Sequence, residues 1–439
     1  GDGPVFLCVG GEGPPLTGAA VFSSVHCNIA VEHLEEFGAL MFAIEHRYYG
    51  CHNMSACPYA ATDAKPLKWL SSRQALADIA AFHKYATIEF TLPPKTMWVT
   101  FGGSYPGMLA SWARLLYPER IYASISSSAP VHAKLDMPEY NDLVARAYSL
   151  PSVGGSASCR EMIAAGHAVI GQMLSTPVGR SVLASKFATL RGLGPEWLES
   201  REHQARFAGD GVAAFPAQSN DPSCEQPACS VGKICSLLSA APGSPVDKLA
   251  VLTATQMGAG LIQPHANRAA LTEEKLLNMR LTSINRSSTF ANAPLDYWGY
   301  QTCTEFGFYQ TCEVGSGCFF TQGLVDLNSS IQFCNSQFGI AREAIEEAIE
   351  RSNTFYGGLR PDIRFGPKAA SRILYVNGDV DPWSALAILE SHNPRSLPAI
   401  GNVSGASHHF WTHPSKPTDQ KTVIEARGAI VSQLHKWLG

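Results

Sequence analysis

The sequence is short of charge and has no long apolar stretch. Only 16% of its 439 residues are charged while 45% are hydrophobic, a balance that excludes a disordered chain. No run of eighteen apolar residues occurs, so no membrane-spanning helix is expected. The net charge of −4 gives no reason to expect nucleic acid or an anionic membrane as a partner. Internal repeats and low-complexity tracts are lacking, and the cysteines do not fall in zinc spacings. The N-terminus lacks the charged segment and apolar core of a signal peptide. What is left is a globular chain long enough for more than one structural unit, with the composition of an enzyme.

What is present points to a compartment. Twelve cysteines, an even number, accompany sequons at Asn53, Asn285, Asn328 and Asn402. Together they favour an oxidising, glycosylating route: secreted, lysosomal or vacuolar. Fourteen histidines would reverse the net charge in an acidic compartment. The first residues, "GDGPVFLCVGGEG", enter a strand within four positions. So abrupt a start predicts a signal peptide and a structured segment upstream, removed or not included.

Strand and helix signals alternate over the first 130 residues. "PVFLCV" (4–9), "ALMFAIEH" (39–46), "TMWVTFG" (96–102) and "YASISSSAP" (122–130) read as strands, the first as a buried parallel one. Helical stretches fall around 28–37, over "SSRQALADIAAFHKYA", and over 106–116. The second opens with Ser71 and Gln74 at capping-box spacing and puts Leu76, Ile79, Ala80 and His83 on one face. From 131 to 368 helical periods dominate, and eight of the cysteines lie there. The α/β pattern resumes at "SRILYVNGD" (371–379), runs through 395–405 and closes with the amphipathic "TVIEARGAIVSQLHKWL". The expected fold class is α/β, a mostly parallel doubly wound sheet, with segments 1–130 and 369–439 interrupted by a helical, disulfide-linked insertion at 131–368.

Acyl transfer needs a nucleophile raised above the sheet, a base, an acid that orients the base, and donors for an oxyanion. The order Ser, Asp, His, each after a strand, is present. Ser104 follows "MWVTFGG"; Asp379 and Asp381 compete after "RILYVNG"; His408 and His409 compete after "AIGNVSGAS". In "FGGSYPGMLASWA" the nucleophile-elbow pattern is met at Gly102 and Ser104, but Pro106 replaces the final glycine. A proline in the first helical turn removes only an N–H without an intrahelical partner, and it biases Tyr105 away from the α region. Gly107 then keeps the helix start slim. The backbone N–H of Tyr105 is one oxyanion donor, and the "VGGEGPP" loop offers Gly11 or Glu12 as the second. The Glu12 carboxylate also reads as a structural group or as a binder of a substrate amine. His409 and His413 lack the glutamate of a zincin motif, and Pro414 continues a helix poorly, so no metal and no cofactor are expected.

Several stretches, "GGEGP", "EHRYYG", "FGGSYPGMLASWARLLYPE", "SSSAPV", "YQTCTEFGFYQTC", "VNGDVDPW" and "GASHH", resemble one serine peptidase family. It is the family of lysosomal Pro-X carboxypeptidase, dipeptidyl peptidase II and thymus-specific serine protease, and the resemblance runs the length of the chain, nearest to the thymus-specific branch. It implies an α/β-hydrolase fold with a disulfide-linked helical cap. It selects Asp381 and His408, so that Ser104 attacks, His408 acts as base and then acid, and Asp381 orients the imidazole. It implies an exopeptidase acting on small peptides next to proline, with Met108, Phe308 and Trp383 around the proline ring. It pairs Cys303 with Cys334 and Cys159 with Cys235, while Cys51 and Cys57 suggest a local loop around Asn53. Peptide substrate is the expected partner; a homodimer, and a cleaved N-terminal segment kept as a separate chain, are compatible with it. An esterase and a catalytically dead binding protein are the rivals on this scaffold. The pocket residues weigh against the first and the complete triad against the second.

Overall fold

The computed structural model describes residues 3–13, 16, 21, 26–50, 65–190, 192–262, 296–393 and 395–439. The chain divides into two compact units. One comprises Gly1–Leu135, Tyr297–Phe308 and Phe333–Gly439, the other Asp136–Asp296 and Tyr309–Gln332. Each is described by itself.

The first unit is built on six strands: β1 (Val5–Val9), β2 (Leu40–Ile44), β3 (Trp98–Gly103), β4 (Ala123–Ser127), β5 (Ile373–Gly378) and β6 (Ala399–Val403). They lie in the order β2-β1-β3-β4-β5-β6 and every adjacent pair is parallel. Every residue of the four inner strands is buried, whereas β2 and β6 at the edges are partly exposed. Two covered faces explain why the inner strands read as continuous apolar runs rather than as alternation. From β1 the chain moves out to β2 and then returns past β1 to β3. That reversal of strand order leaves a crevice at the carboxyl ends of β1 and β3, the usual location of ligand sites in open α/β sheets.

Helices α1 (Ser72–Glu89), α2 (Tyr105–Leu116) and α3 (Lys421–Leu438) belong to this unit. Ser71 caps α1 by accepting the Gln74 N–H, and Leu76, Ile79 and Ala80 are buried below it. Val423, Ala426, Ile430 and Leu434 of α3 form a helical stripe packed into one core with Phe6, Val99, Phe101, Ile125, Leu374 and Val376. Each fully buried aliphatic or phenyl side chain in such a core contributes about 1.5–3 kcal/mol. The Cys8–Cys27 disulfide lies inside the same core. The expected helix around 28–37 is two separate four-residue helices, Asn28–Val31 and Leu34–Phe37. Neither has a side-chain cap to extend it, and Gly38 in the left-handed region ends the second.

The second unit is helical, and five of its helices start in the same way. Ser156, Thr176, Ser200, Ser230 and Ser244 each accept the backbone N–H three residues on, at Cys159, Gly179, His203, Lys233 and Asp247. Each such cap is worth about 1 kcal/mol. Tyr148, Phe215, Phe319 and Phe320 interlock around His167, with ring centroids between 4.8 Å and 6.1 Å apart. Disulfides Cys159–Cys235, Cys224–Cys229 and Cys312–Cys318 tie this unit, while Cys303–Cys334 joins two segments of the sheet unit.

Candidate active site

Strand β3 ends at Gly103, and Ser104 takes φ 66° and ψ −134° before α2 begins. A non-glycine residue in such a conformation costs about 1–3 kcal/mol and persists only where its surroundings enforce it. They do so by hydrogen bonds on both sides. Ser104 N–H donates to the Ser127 carbonyl of β4 at 2.9 Å, and the Ser104 carbonyl accepts the Met108 N–H at 3.1 Å. The turn has no room for side chains on its inner face. A Cβ on Gly102 would lie 2.2 Å from the Pro106 carbonyl oxygen, and one on Gly107 would lie 2.7 Å from that of Ser127. Gly107 therefore serves as the slim residue, one position late. Pro106 lies in the first turn of α2, but Tyr105 is already helical. The bias of a pre-proline residue against the α region is overcome here by the helix start anchored at Ser104.

Beyond β5 the chain turns at Asp381, whose carboxylate accepts the Trp383 N–H at 3.0 Å and lies 2.9 Å from His408 Nδ1 through both oxygens. Asp381 is 0% exposed and His408 5%. An acceptor on Nδ1 makes that nitrogen the protonated one and leaves the Nε2 lone pair to take a proton from a hydroxyl. His408 Nε2 is buried and takes no hydrogen bond, from Ser104 or from any other described residue. The two competitors have other tasks. Asp379 accepts the Gly405 N–H at 2.7 Å, and His409 gives its backbone N–H to Ser128 Oγ at 2.8 Å.

The loop after β1 reaches the same turn. A Cβ on Gly11 would lie 2.3 Å from Pro106 Cγ, so the Gly11 backbone rests against the proline ring. Desolvation raises the Glu12 carboxyl to about 7, opposed by a hydrogen bond from its own backbone N–H and by the charge of His408. Burial holds the His26 imidazole down at about 4, with His408 adding to the effect, and keeps His409 well below the ordinary histidine value. Of the apolar candidates, Met108 is fully enclosed in α2, while Phe308 meets Trp383 edge-on at 5.4 Å and Trp383 lies 6.4 Å from the His408 ring. Phe308 has φ 66° as well, in the same sparsely populated region of backbone angles as Ser104.

Several contributors escaped the sequence reading. Ser126 Oγ donates to the Gly107 carbonyl, and Ser127 Oγ accepts the Trp411 indole N–H. With Ser128, the residue after β4, they lash the elbow and the histidine loop to that strand, which explains the buried run of serines 126–128. Trp298 and Phe306 flank the Tyr105 ring at 5.4 Å and 5.6 Å. Such contacts join distant segments, and no local periodicity announces them. Asn328 and Asn402 are exposed, whereas Asn53, Asn285, Cys51 and Cys57 lie outside the described residues.

A parallel sheet in this order, with a strained serine after β3, an aspartate beyond β5 and a histidine beyond β6, defines an α/β hydrolase. The family described as serine carboxypeptidase S28 matches residues 1–430, and the chain belongs to this family of serine peptidases. It is 33% identical over 459 aligned positions to the thymus-specific serine protease of Homo sapiens, covering 100% of this chain and 80% of that one. The mouse counterpart from Mus musculus is 32% identical, with 81% of its length covered. Lysosomal Pro-X carboxypeptidase of Bos taurus is 24% identical over 92% of this chain and 75% of its own. Among the described residues no helix is long and apolar enough to cross a membrane.

Proposed function

We propose that the protein is a serine exopeptidase that hydrolyses small peptides next to proline through an acyl-enzyme. Ser104 Oγ attacks the carbonyl, His408 Nε2 takes its proton and returns it to the leaving amine, and Asp381 holds the imidazole. The observation that carries this reading is the His408–Asp381 pair, with both carboxylate oxygens 2.9 Å from Nδ1 and Nε2 unbonded. The Ser104–His408 bond closes with substrate in place, since such bonds are often loose in free enzymes. The Tyr105 N–H and the Gly11–Glu12 loop receive the oxyanion. Phe308 and Trp383 form the apolar surface for a pyrrolidine ring, while the fully enclosed Met108 has no surface to offer it. The name of the bovine relative supports cleavage beside proline and a lysosomal setting. The disulfides and the two exposed sequon asparagines support a secretory route.

Mass spectrometry of products from a proline-containing peptide library, run beside short-chain esters from pH 4 to 8, tests the substrate class. Single-residue or dipeptide products released beside proline support the reading. Turnover of esters alone overturns the peptidase assignment. A fluorophosphonate probe that leaves folded protein unlabelled at Ser104 overturns the mechanism.

A further inference from the structure

Beneath the elbow lies a buried polar chain that the triad does not use. The short helix Tyr297–Gln301 widens into a π-helical turn, Thr302–Phe306, of the kind that recurs at functional sites. This turn carries Glu305 into the interior, 8% exposed, and among the described residues no cation is in hydrogen-bond contact with its carboxylate. Its Oε2 faces N–H donors only: the Ser72 backbone at 3.0 Å and Gln301 Nε2 at 2.9 Å. Oε1 accepts the same Ser72 N–H and the Ser72 hydroxyl at 2.6 Å.

The rest follows by elimination from two fixed ends, this carboxylate and the Arg47 carbonyl. Because Oε2 accepts, the Gln301 amide must turn its nitrogen to Glu305. Its Oε1 is then left to the Tyr49 hydroxyl, which donates at 2.6 Å. The second N–H of Gln301 donates to the Tyr105 phenol oxygen at 3.0 Å. At the other end His46 Nδ1 faces the Arg47 carbonyl, which can only accept, so in the neutral ring Nε2 is the acceptor and the Tyr105 hydroxyl donates to it at 2.9 Å. His46 in turn donates from Nδ1 to the Arg47 carbonyl at 2.8 Å. Burial holds the His46 imidazole at about 4, so it remains neutral and able to accept. The chain admits one order of protons from Glu305 to Arg47.

We infer that Gln301 and Glu305 are positioning residues for the reaction: through this ordered chain they fix the Tyr105 ring, and with it the backbone N–H that receives the oxyanion. The inference rests on the functional reading above. Packing against Trp298 and Phe306 confines the ring, but apolar contact is non-directional, whereas the two hydrogen bonds at the phenol set its rotation. Tyr105 follows the nucleophile directly, so a small rotation of its ring is passed to the Ser104–Tyr105 peptide.

Two near-isosteric variants of the full chain test this. Tyr105→Phe removes the hydroxyl, and Glu305→Gln offers an N–H where an acceptor is required, so that the Gln301 amide loses its fixed orientation. Each should lower kcat about tenfold with KM unchanged, the equivalent of one misplaced hydrogen bond. The affinity for a peptide boronic acid, whose tetrahedral adduct places an oxygen on the same donors, should fall by the same factor. Tyr49→Phe, which releases only the far end of the amide, should lower kcat about threefold, and it carries the test if Tyr105→Phe fails to fold. Rates are normalised to fluorophosphonate-titrated sites. An active parent with kcat and boronate affinity within about twofold in Glu305→Gln and Tyr49→Phe overturns this inference alone. A loss that appears in KM and not in kcat also overturns it. A parent that the fluorophosphonate does not label overturns the functional reading, and this inference with it.

Discussion

Five hydroxyl residues begin helices in the helical unit, and each commits its oxygen to the backbone N–H three residues on. Ser104 also stands at the start of a helix, in the sheet unit, yet its hydroxyl caps nothing and its backbone is left-handed. The same residue type at the same position in a helix does opposite work in the two regions. At φ near −157° to −68° a serine side chain folds back over the first turn and stabilises it. At φ 66° it makes no such cap, at a cost in strain, and the proposed mechanism takes its oxygen as the nucleophile. Ser71 of the sheet unit caps α1 as the five do, so the contrast belongs to Ser104, whose oxygen the proposed mechanism uses.

The sharpest way to break this contrast is to remove the oxygens. Ser104→Ala should abolish turnover, with a loss on the order of 10⁴-fold or more in kcat, while thermal melting leaves Tm within about 2 °C. A large drop in Tm would mean that Ser104 is structural, like the other five. Asp381→Asn, which presents an amide to His408 Nδ1, should cost about 10⁴-fold in kcat.

Acidification probes both units at once, because each buries a neutral histidine. Burial lowers His46 to about 4 in the sheet unit and His167 to about 3 in the helical unit. The unfolded chain protonates near 6.5 and the folded one does not, so stability is greatest above 6.5 and is lost as pH falls toward 4. Each histidine accounts for roughly 3 kcal/mol of that loss. Glu12, raised to about 7, acts the other way and favours the folded state as pH falls from 7 to 4.5. Denaturant melts between pH 7 and 4 should show the decline, and His167→Gln should flatten it without changing kcat.

Smaller effects sharpen the comparison further. Ser156→Ala should cost about 1 kcal/mol in chemical denaturation and leave kcat/KM unaltered, as expected of a hydroxyl that only caps. Pro106→Gly should keep activity within about threefold, because the donor N–H is that of Tyr105 and the proline lacks only an N–H that a helix start does not use. A folded but inactive Pro106→Gly protein would show that the elbow geometry depends on the ring.

The sheet was readable because its inner strands are buried on both faces, so that "VFLCV" and "ILYVNG" appear as uninterrupted apolar runs closed by glycine. The pattern of a serine, an aspartate and a histidine in that order, each after a strand-like stretch, was legible in the sequence. The local pattern left Asp379 and Asp381 open and only the resemblance chose between them, since both stand in one tight loop and differ in what they face: the Gly405 N–H or His408. The chain of groups around Tyr105 was the least readable. It draws on positions 46, 49, 72, 105, 301 and 305, and only the i, i+4 spacing of Gln301 and Glu305 leaves a local trace.

The contact of Gly11 with Pro106 has a consequence for how such a chain can change over time. With the proline ring filling the space that a Cβ at position 11 would need, position 11 cannot vary while Pro106 stands, whereas position 106 can. A descendant with glycine at position 106 gains room for alanine at 11, whereas alanine at 11 arriving first would push the loop off the elbow. The two positions form a lock whose parts must be exchanged in one order.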